Sequence, residues 1–341
     1  MSSAFGSAEL LDPRFAPMPG YWPELRARAG LRADWSWPVL AAQGWCARAP
    51  QLVSVLHGAD RPVGVVFGAQ IGPTTRPHRF VRVRQHRRFG LLDVRSPGTS
   101  ALPGWWFERS DGFGDQVDDA MSAIRARLGP GPHAVLLRQL DDTELPQLGG
   151  PKLARDTEPV AVLRTDGFTC REDWIAALRK NRRANLRKIF RTFEEDPDIM
   201  LSAGPGTEAD PARLAELMRF NAVKHADAPI LPLPLYGSYL SELLAQPDVR
   251  LFLYAARDTG TLLGAGIVLD HPQWPVFRSW SALPRELGGP SHLYFAFYGQ
   301  LINWAIDAGK QGLILGKGMP ELKTSLGASL RTQHAAARLL R

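Results

Sequence analysis

The segment Arg285-Glu-Leu-Gly288-Gly289-Pro290-Ser291 stands directly before a helical run at 292–308. It combines a cation, two adjacent glycines and a hydroxyl at a helix start. Small residues let backbone N–H groups approach a phosphate, and a helix N-terminus adds positive potential. Arg285, Gly288, Gly289 and Ser291 are therefore candidates to bind a phosphate-bearing ligand. Pro290 interrupts the cradle because it has no N–H to give. The same residues also suit a plain turn with Ser291 as the N-cap. Arg182 is the second candidate. At about 100° per residue, Trp174, Ile175, Leu178, Leu186, Ile189, Phe190 and Phe193 share one face of a helix over 171–195. Arg182 falls near the middle of that face, with Asn181 and Asn185 on its flank as substrate-binding candidates. A buried guanidinium needs a partner, either an internal carboxylate or an anionic substrate.

Other chemistry is less sharply marked. Arg76, His78, Arg79, Arg82, Arg84, His86, Arg87 and Arg88 form a basic cluster that alternates between 79 and 84, as an edge strand with one charged face does. Such a stripe suits phosphate-backbone contact or a solvated edge that resists aggregation. Glu321, Asp307 and Asp270 have no spacing that singles one out as a base. His225, His271, His292 and His334 show no paired-ligand spacing, so no metal site is expected.

The elements that must position these residues follow from the rest of the chain. Its 341 residues suit two domains. With 45% hydrophobic and 22% charged residues, the composition is globular. No apolar run approaches a bilayer span, and Met1–Arg14 lacks a basic start before an apolar stretch, so no membrane span and a cytoplasmic enzyme are expected. Two cysteines exclude a disulfide framework. A net charge of +7 favours an anionic partner, or reflects an arginine-rich composition of the GC-rich bacterial kind.

Residues 1–50 read as an irregular lead-in with one or two helices. Strands are expected at 51–57, 63–71, 90–94 and 134–137, with a helix at 115–128 and an edge strand at 160–163. Beyond the helix at 171–195 come strand 199–202, helix 210–225 capped by Asp210, helix 235–246 and a hairpin of 249–257 with 262–270. Strand 276–281, helix 292–308 and strand 313–316 close the pattern. A helix followed by a strand recurs in both halves, which implies tandem domains at 1–165 and 166–341.

The closing segment carries a resemblance. It runs Tyr294-Phe-Ala-Phe-Tyr298 through Gly309, then Leu313-Ile-Leu-Gly316-Lys-Gly318, then Lys323-Thr-Ser-Leu-Gly327. A helix ending in Gly, a strand, a G-x-G turn and a K-x-x-x-G element resemble the end of the Fem-type (FemABX-like) acyltransferases of the GNAT superfamily. Leu178-Arg-Lys-Asn-Arg182-Arg-Ala-Asn-Leu-Arg-Lys188 is similar to a basic helix at the corresponding place in those proteins. The likeness is specific over about 171–330 and weak over 1–150.

The resemblance implies an α/β (α+β) fold of tandem GNAT-like domains, each a mixed twisted sheet flanked by helices. It implies N-acyl transfer to a primary amine of a small metabolite or peptide, at an acceptor site between or beside the domains. Lys323 and Arg182 are then the expected catalytic cations, and Tyr294 and Tyr298 are substrate-binding candidates whose alternative use is packing. No permanently bound cofactor is implied, only aminoacyl-tRNA or acyl-CoA as co-substrate. Pro290 favours aminoacyl-tRNA, whereas Arg285-x-x-Gly288 favours an acyl-CoA or carrier-protein thioester. A third reading is a non-catalytic module, on a degenerate transferase fold, that binds nucleic acid or a partner.

Overall fold

The structure, a computed structural model, describes residues 7–47, 49–71, 90–109, 112–128, 132–224 and 233–340. The basic cluster at 76–88 and His225 lie outside them. In chain order the elements begin β1 (Ser7–Leu11), α1 (Trp22–Arg28), α2 (Trp37–Cys46), β2 (Gln51–His57), β3 (Pro62–Ile71), β4 (Gly90–Val94) and β5 (Trp105–Phe107). Next come α3 (Phe113–Leu128), β6 (Pro132–Leu140), α4 (Glu144–Gln147) and β7 (Leu153–Asp156). Then follow β8 (Val160–Arg164), α5 (Arg171–Ala176), α6 (Lys180–Glu194), β9 (Ile199–Pro205), α7 (Pro211–Lys224) and α8 (Leu233–Leu244). The chain ends with β10 (Val249–Ala256), β11 (Leu262–Leu269), β12 (Val276–Ala282), α9 (Leu293–Asp307), β13 (Gly312–Gly316), α10 (Pro320–Ser325), β14 (Ser329–Arg331) and β15 (His334–Leu339).

Two compact units result: 1–159 with 332–341, and 160–331. The first holds a mixed sheet in the order β1-β2-β3-β4-β6-β15-β7, with β5 on β3. The lead-in is more ordered than its composition suggests. β1 pairs with β2, and Trp22, Trp35 and Trp37 are buried against Val53, Val65 and Phe67. Indole bodies supply large apolar area, and the Trp22 N–H finds the Trp35 carbonyl at 3.0 Å. α3 buries Val117, Ala120, Met121 and Ile124 on the sheet's other core, as its periodicity requires.

The two units divide at 159/160, near the expected 165/166, and again at 331/332. β8 pairs with β13 and β14 in the second sheet, whereas β15 pairs with β6 and β7 in the first. Strand partners far away in sequence decide this, not local composition. For the same reason Val160-Ala-Val-Leu163 is interior rather than an edge, with all four residues buried. An apolar run without alternation belongs to a strand covered on both faces.

β15 is tied in by His334, whose Nε2 lies 2.8 Å from Asp142 and whose Nδ1 lies 2.9 Å from Asp156. The hydrogen bond to Asp142 and the second to Asp156 hold the imidazole above its usual pKa, against partial desolvation. A group raised on folding contributes stability that is full below the unfolded value, near about 6.5, and is lost as pH rises through the folded value. Urea midpoints should therefore fall from pH ~6.5 upward. His334→Gln is expected to flatten that slope, and an unchanged slope would exclude the clamp.

The second sheet runs β14-β8-β13-β12-β11-β10-β9. β10 and β11 form the expected hairpin, in register from Val249↔Leu269 to Tyr254↔Gly264. Phe252 and Tyr254 face α9, while the alternating Leu251, Ala265 and Ile267 are buried on the other side, where α7 contacts β11 and β12 and α8 packs on α7. Gly266 is there for contact, because a Cβ would lie 2.2 Å from the Phe297 ring. The helix expected over 171–195 is broken. α5 stops at Ala176, and Arg179 is extended (φ −62°, ψ 144°) before α6 begins. Contacts remote in sequence impose the break: the Trp174 indole N–H donates to the Leu326 carbonyl at 2.9 Å, and Leu178 packs beside Gly327.

Candidate functional site

β12 and β13 are parallel and share one register position, Val276↔Ile314. β13 runs on to Gly316, paired with β8, and β12 runs on through Ser279–Ala282, paired with β11. A register shift at Ile267/Val268 kinks this part of β12. Of the candidate residues, Tyr294 meets β12, and Lys323 lies against the turn that follows β13.

After β13 the chain turns through Gly316 (φ 73°), Gly318 (φ 78°) and Met319 (φ 50°), a left-handed sequence that glycine adopts at little cost. α10 follows and turns Lys323 inward. Its side chain is 2% exposed, and its Nζ donates to the carbonyls of Lys317 at 2.8 Å and Gly316 at 3.2 Å. The lysine therefore holds the glycine turn closed from beneath.

Arg182 is half-buried on α6. Its guanidinium donates to Ser325 Oγ at 2.8 Å, and Ser325 donates onward to the Leu322 carbonyl at 2.7 Å. It also lies over the Phe295 ring, 5.7 Å from the centroid, in the first turn of α9. Among the described residues no carboxylate pairs with it. Of the two readings of this arginine, the internal ion pair is thus absent from the described residues. Asn181 and Asn185 are exposed on α6 and make no hydrogen bond to the Arg182–Ser325 pair.

The loop before α9 departs from a phosphate cradle. The N–H of Leu287 and that of Gly289 both donate to the Pro284 carbonyl, at 3.0 and 2.9 Å, and that of Gly288 to Arg285 at 3.0 Å. A Cβ on Gly289 would sit 1.8 Å from the Leu283 carbonyl oxygen, so this glycine serves close chain approach. Ser291 is not the N-cap. His292 occupies that place in the left-handed region (φ 67°), and no side chain caps the helix. Arg285 is exposed and without an ion pair among the described residues.

Tyr294 and Tyr298 pack against one another with ring centroids 5.5 Å apart and planes tilted by 55°. Tyr294 also meets Phe277 and Trp280 of β12, at 6.5 and 5.9 Å. Both hydroxyl oxygens are buried without a hydrogen-bond partner. Burial pushes both phenols well above their usual pKa, so at neutral pH they remain neutral donors. An unpartnered buried hydroxyl costs about 1–3 kcal/mol. Sequence reasoning missed Ser325, Phe295 and Trp280, which touch Arg182 and Tyr294. Only their contacts mark them, since none has a distinctive spacing.

Two mixed sheets flanked by helices, the second with β12 and β13 as its parallel pair, define a tandem GNAT fold. No protein-family model matches the chain, and no curated protein does. Among solved structures it is similar to FemX, at 9% identity over 94% of this chain and 96% of that one, TM-score 0.59. It is also similar to the DUF2156 C-terminal domain of a protein assigned as a lysylphosphatidylglycerol synthetase from Agrobacterium fabrum. That likeness has 11% identity, covers 94% and 90% of the two chains, and has a TM-score of 0.58. A tandem GNAT protein from the clavulanic acid biosynthesis pathway matches at 11% identity over 98% and 99%, TM-score 0.51. At such identities the likeness establishes the Fem-like, tandem GNAT fold. Among the described residues no helix is long and apolar enough to cross a membrane.

Proposed function

We propose that the protein is an N-acyltransferase that moves an aminoacyl or acyl group from an activated donor to a primary amine of a small metabolite or peptide. The observation that carries this reading is Arg182, a half-buried cation with no carboxylate partner among the described residues, joined through Ser325 to the helix that follows β13. The neutral amine attacks the donor carbonyl carbon and forms the C–N bond. The tetrahedral oxyanion then collapses with cleavage of the C–O or C–S bond, and the amine's proton passes to the leaving atom. Arg182 offsets the charge of the donor or of that oxyanion. Lys323 places a second positive charge beneath the glycine turn and keeps the turn in shape. Tyr294 and Tyr298 keep neutral, buried hydroxyls beside β12, as candidates to bind the substrate.

Aminoacyl-tRNA is the favoured donor. The Gly288 and Gly289 amides are already engaged and Pro290 has none, so the loop offers few N–H groups to a diphosphate such as that of CoA. Arg285 and Ser291, with Gly288 and Gly289 lining the turn, then meet a ribose or single phosphate. The test is binding of charged and uncharged tRNA over a salt series, with CoA as competitor. Submicromolar binding that prefers charged tRNA, ignores CoA and weakens roughly tenfold or more in Arg182→Ala is expected. Weak, equal and steeply salt-dependent binding of both tRNAs would reduce the result to a basic surface. An acyl-CoA or carrier-protein thioester would then be the donor to pursue.

A further inference from the structure

β9 terminates the second sheet. It pairs with β10 through Ile199–Pro205 and, among the described residues, has no strand on its other side. Edge strands are usually blunted by charged side chains, proline or short length, because a bare row of N–H and C=O groups templates pairing. β9 reads Ile199-Met-Leu-Ser-Ala-Gly-Pro205, with no charge and with proline only at its last position. Leu201 is 39% exposed and Met200 44%. They lie opposite Tyr254 and Ala255 respectively, hence on opposite faces, so both helical layers stop short of this edge.

On the Leu201 face the shortfall leaves a cavity of about 280 Å³. Ile199, Leu201 and Tyr254 form its floor, and Phe190, Phe193 and Ala296 its walls. The Tyr254 hydroxyl is buried there without a hydrogen-bond partner.

Charge selects the occupant. Glu194, Glu195, Asp196 and Asp198 precede β9, and Glu208 follows it. Of these only Glu194 has an ion-pair partner among the described residues, Arg171 at 2.6 Å. Arg257 also lines the cavity and donates to the Pro197 carbonyl at 2.6 Å. Antiparallel pairing with β9 of a second copy would set Asp196 and Asp198 against the other copy's Glu208, with like charges at both ends. A strand with cations at its ends meets the opposite sign.

We propose that β9 is a docking edge for an extended peptide of another protein, cationic at its ends and apolar between, which adds to the sheet and places one apolar side chain in the cavity. The inference does not rest on acyl transfer.

The test is fluorescence anisotropy of the full chain with a fluorescein-labelled hexapeptide of alternating valine and leucine between two lysines. Saturable binding is expected, roughly tenfold or more tighter than for the same peptide ended by glutamates, with the preference shrinking as salt rises. Leu201→Lys and Leu201→Thr should each weaken it, the lysine variant by roughly tenfold or more. Leu153→Lys, on an exposed residue of β7, should leave it unchanged. Circular-dichroism melts establish that the variants fold. Absence of saturable binding, equal binding of both peptides, or indifference to Leu201→Lys overturns the proposal. So does a dimer in light scattering that Leu201→Lys makes monomeric, which would give the edge to a second copy.

Discussion

Lys323→Ala should lower the thermal unfolding midpoint of the second unit and, with the proposed substrates, reduce turnover by roughly a hundredfold. The stability loss has two sources. The Gly316 and Lys317 carbonyls lose a charged donor, and a side chain 2% exposed leaves a cavity behind. Together these amount to about 3 kcal/mol, or a fall of roughly 6–12 °C for a unit of this size. Lys323→Met keeps most of the apolar stem and should recover part of the midpoint but none of the turnover. Calorimetry on both variants, beside single-turnover rates, separates the two roles. A turnover loss below about tenfold would leave Lys323 with the glycine turn alone.

Adjacent glycines in the loop before α9 should respond very differently to alanine. At Gly289 the new Cβ would fall 1.8 Å from a backbone oxygen, so the turn must open and its hydrogen bonds to Pro284 must shift. The expected cost is about 3 kcal/mol, together with weaker donor binding if this loop lines the donor site. At Gly288 nothing lies within 4 Å, and the strain comes from φ of 91° alone. That cost is roughly 1–2 kcal/mol. Denaturant midpoints of the two variants provide the check. Equal losses would mean that the loop accommodates Gly289→Ala by a simple displacement.

Much of the fold was legible because it rests on local chemistry. The alternating strands 249–257 and 262–270, the turn between them and the N-cap at Asp210 are written into neighbouring residues. Asp210 accepts from the Ala212 N–H at 2.8 Å, as a cap should. The helix ending at Gly309 and the glycine turn at Gly316 and Gly318 were readable for the same reason. The features that failed were those set by distant partners. Arg179 breaks a helix that its periodicity would continue, because Trp174 and Leu178 are held by the segment 326–327. Val160–Leu163 is interior because β13 and β14 flank it.

The candidate site divides along the same line. Residue types and spacing by themselves marked Arg182 and the loop 285–291 as candidates for an anionic ligand, and the resemblance marked Lys323, since charge, glycine content and period are properties of the chain. Only the tertiary structure decided what each group does with its hydrogen bonds. Lys323 turns to two carbonyls, the loop amides turn to their own segment, and Arg182 is left with Ser325 and an aromatic ring. The reason is that a side chain's partner depends on which remote backbone packing brings within about 3 Å, and no local pattern encodes that distance.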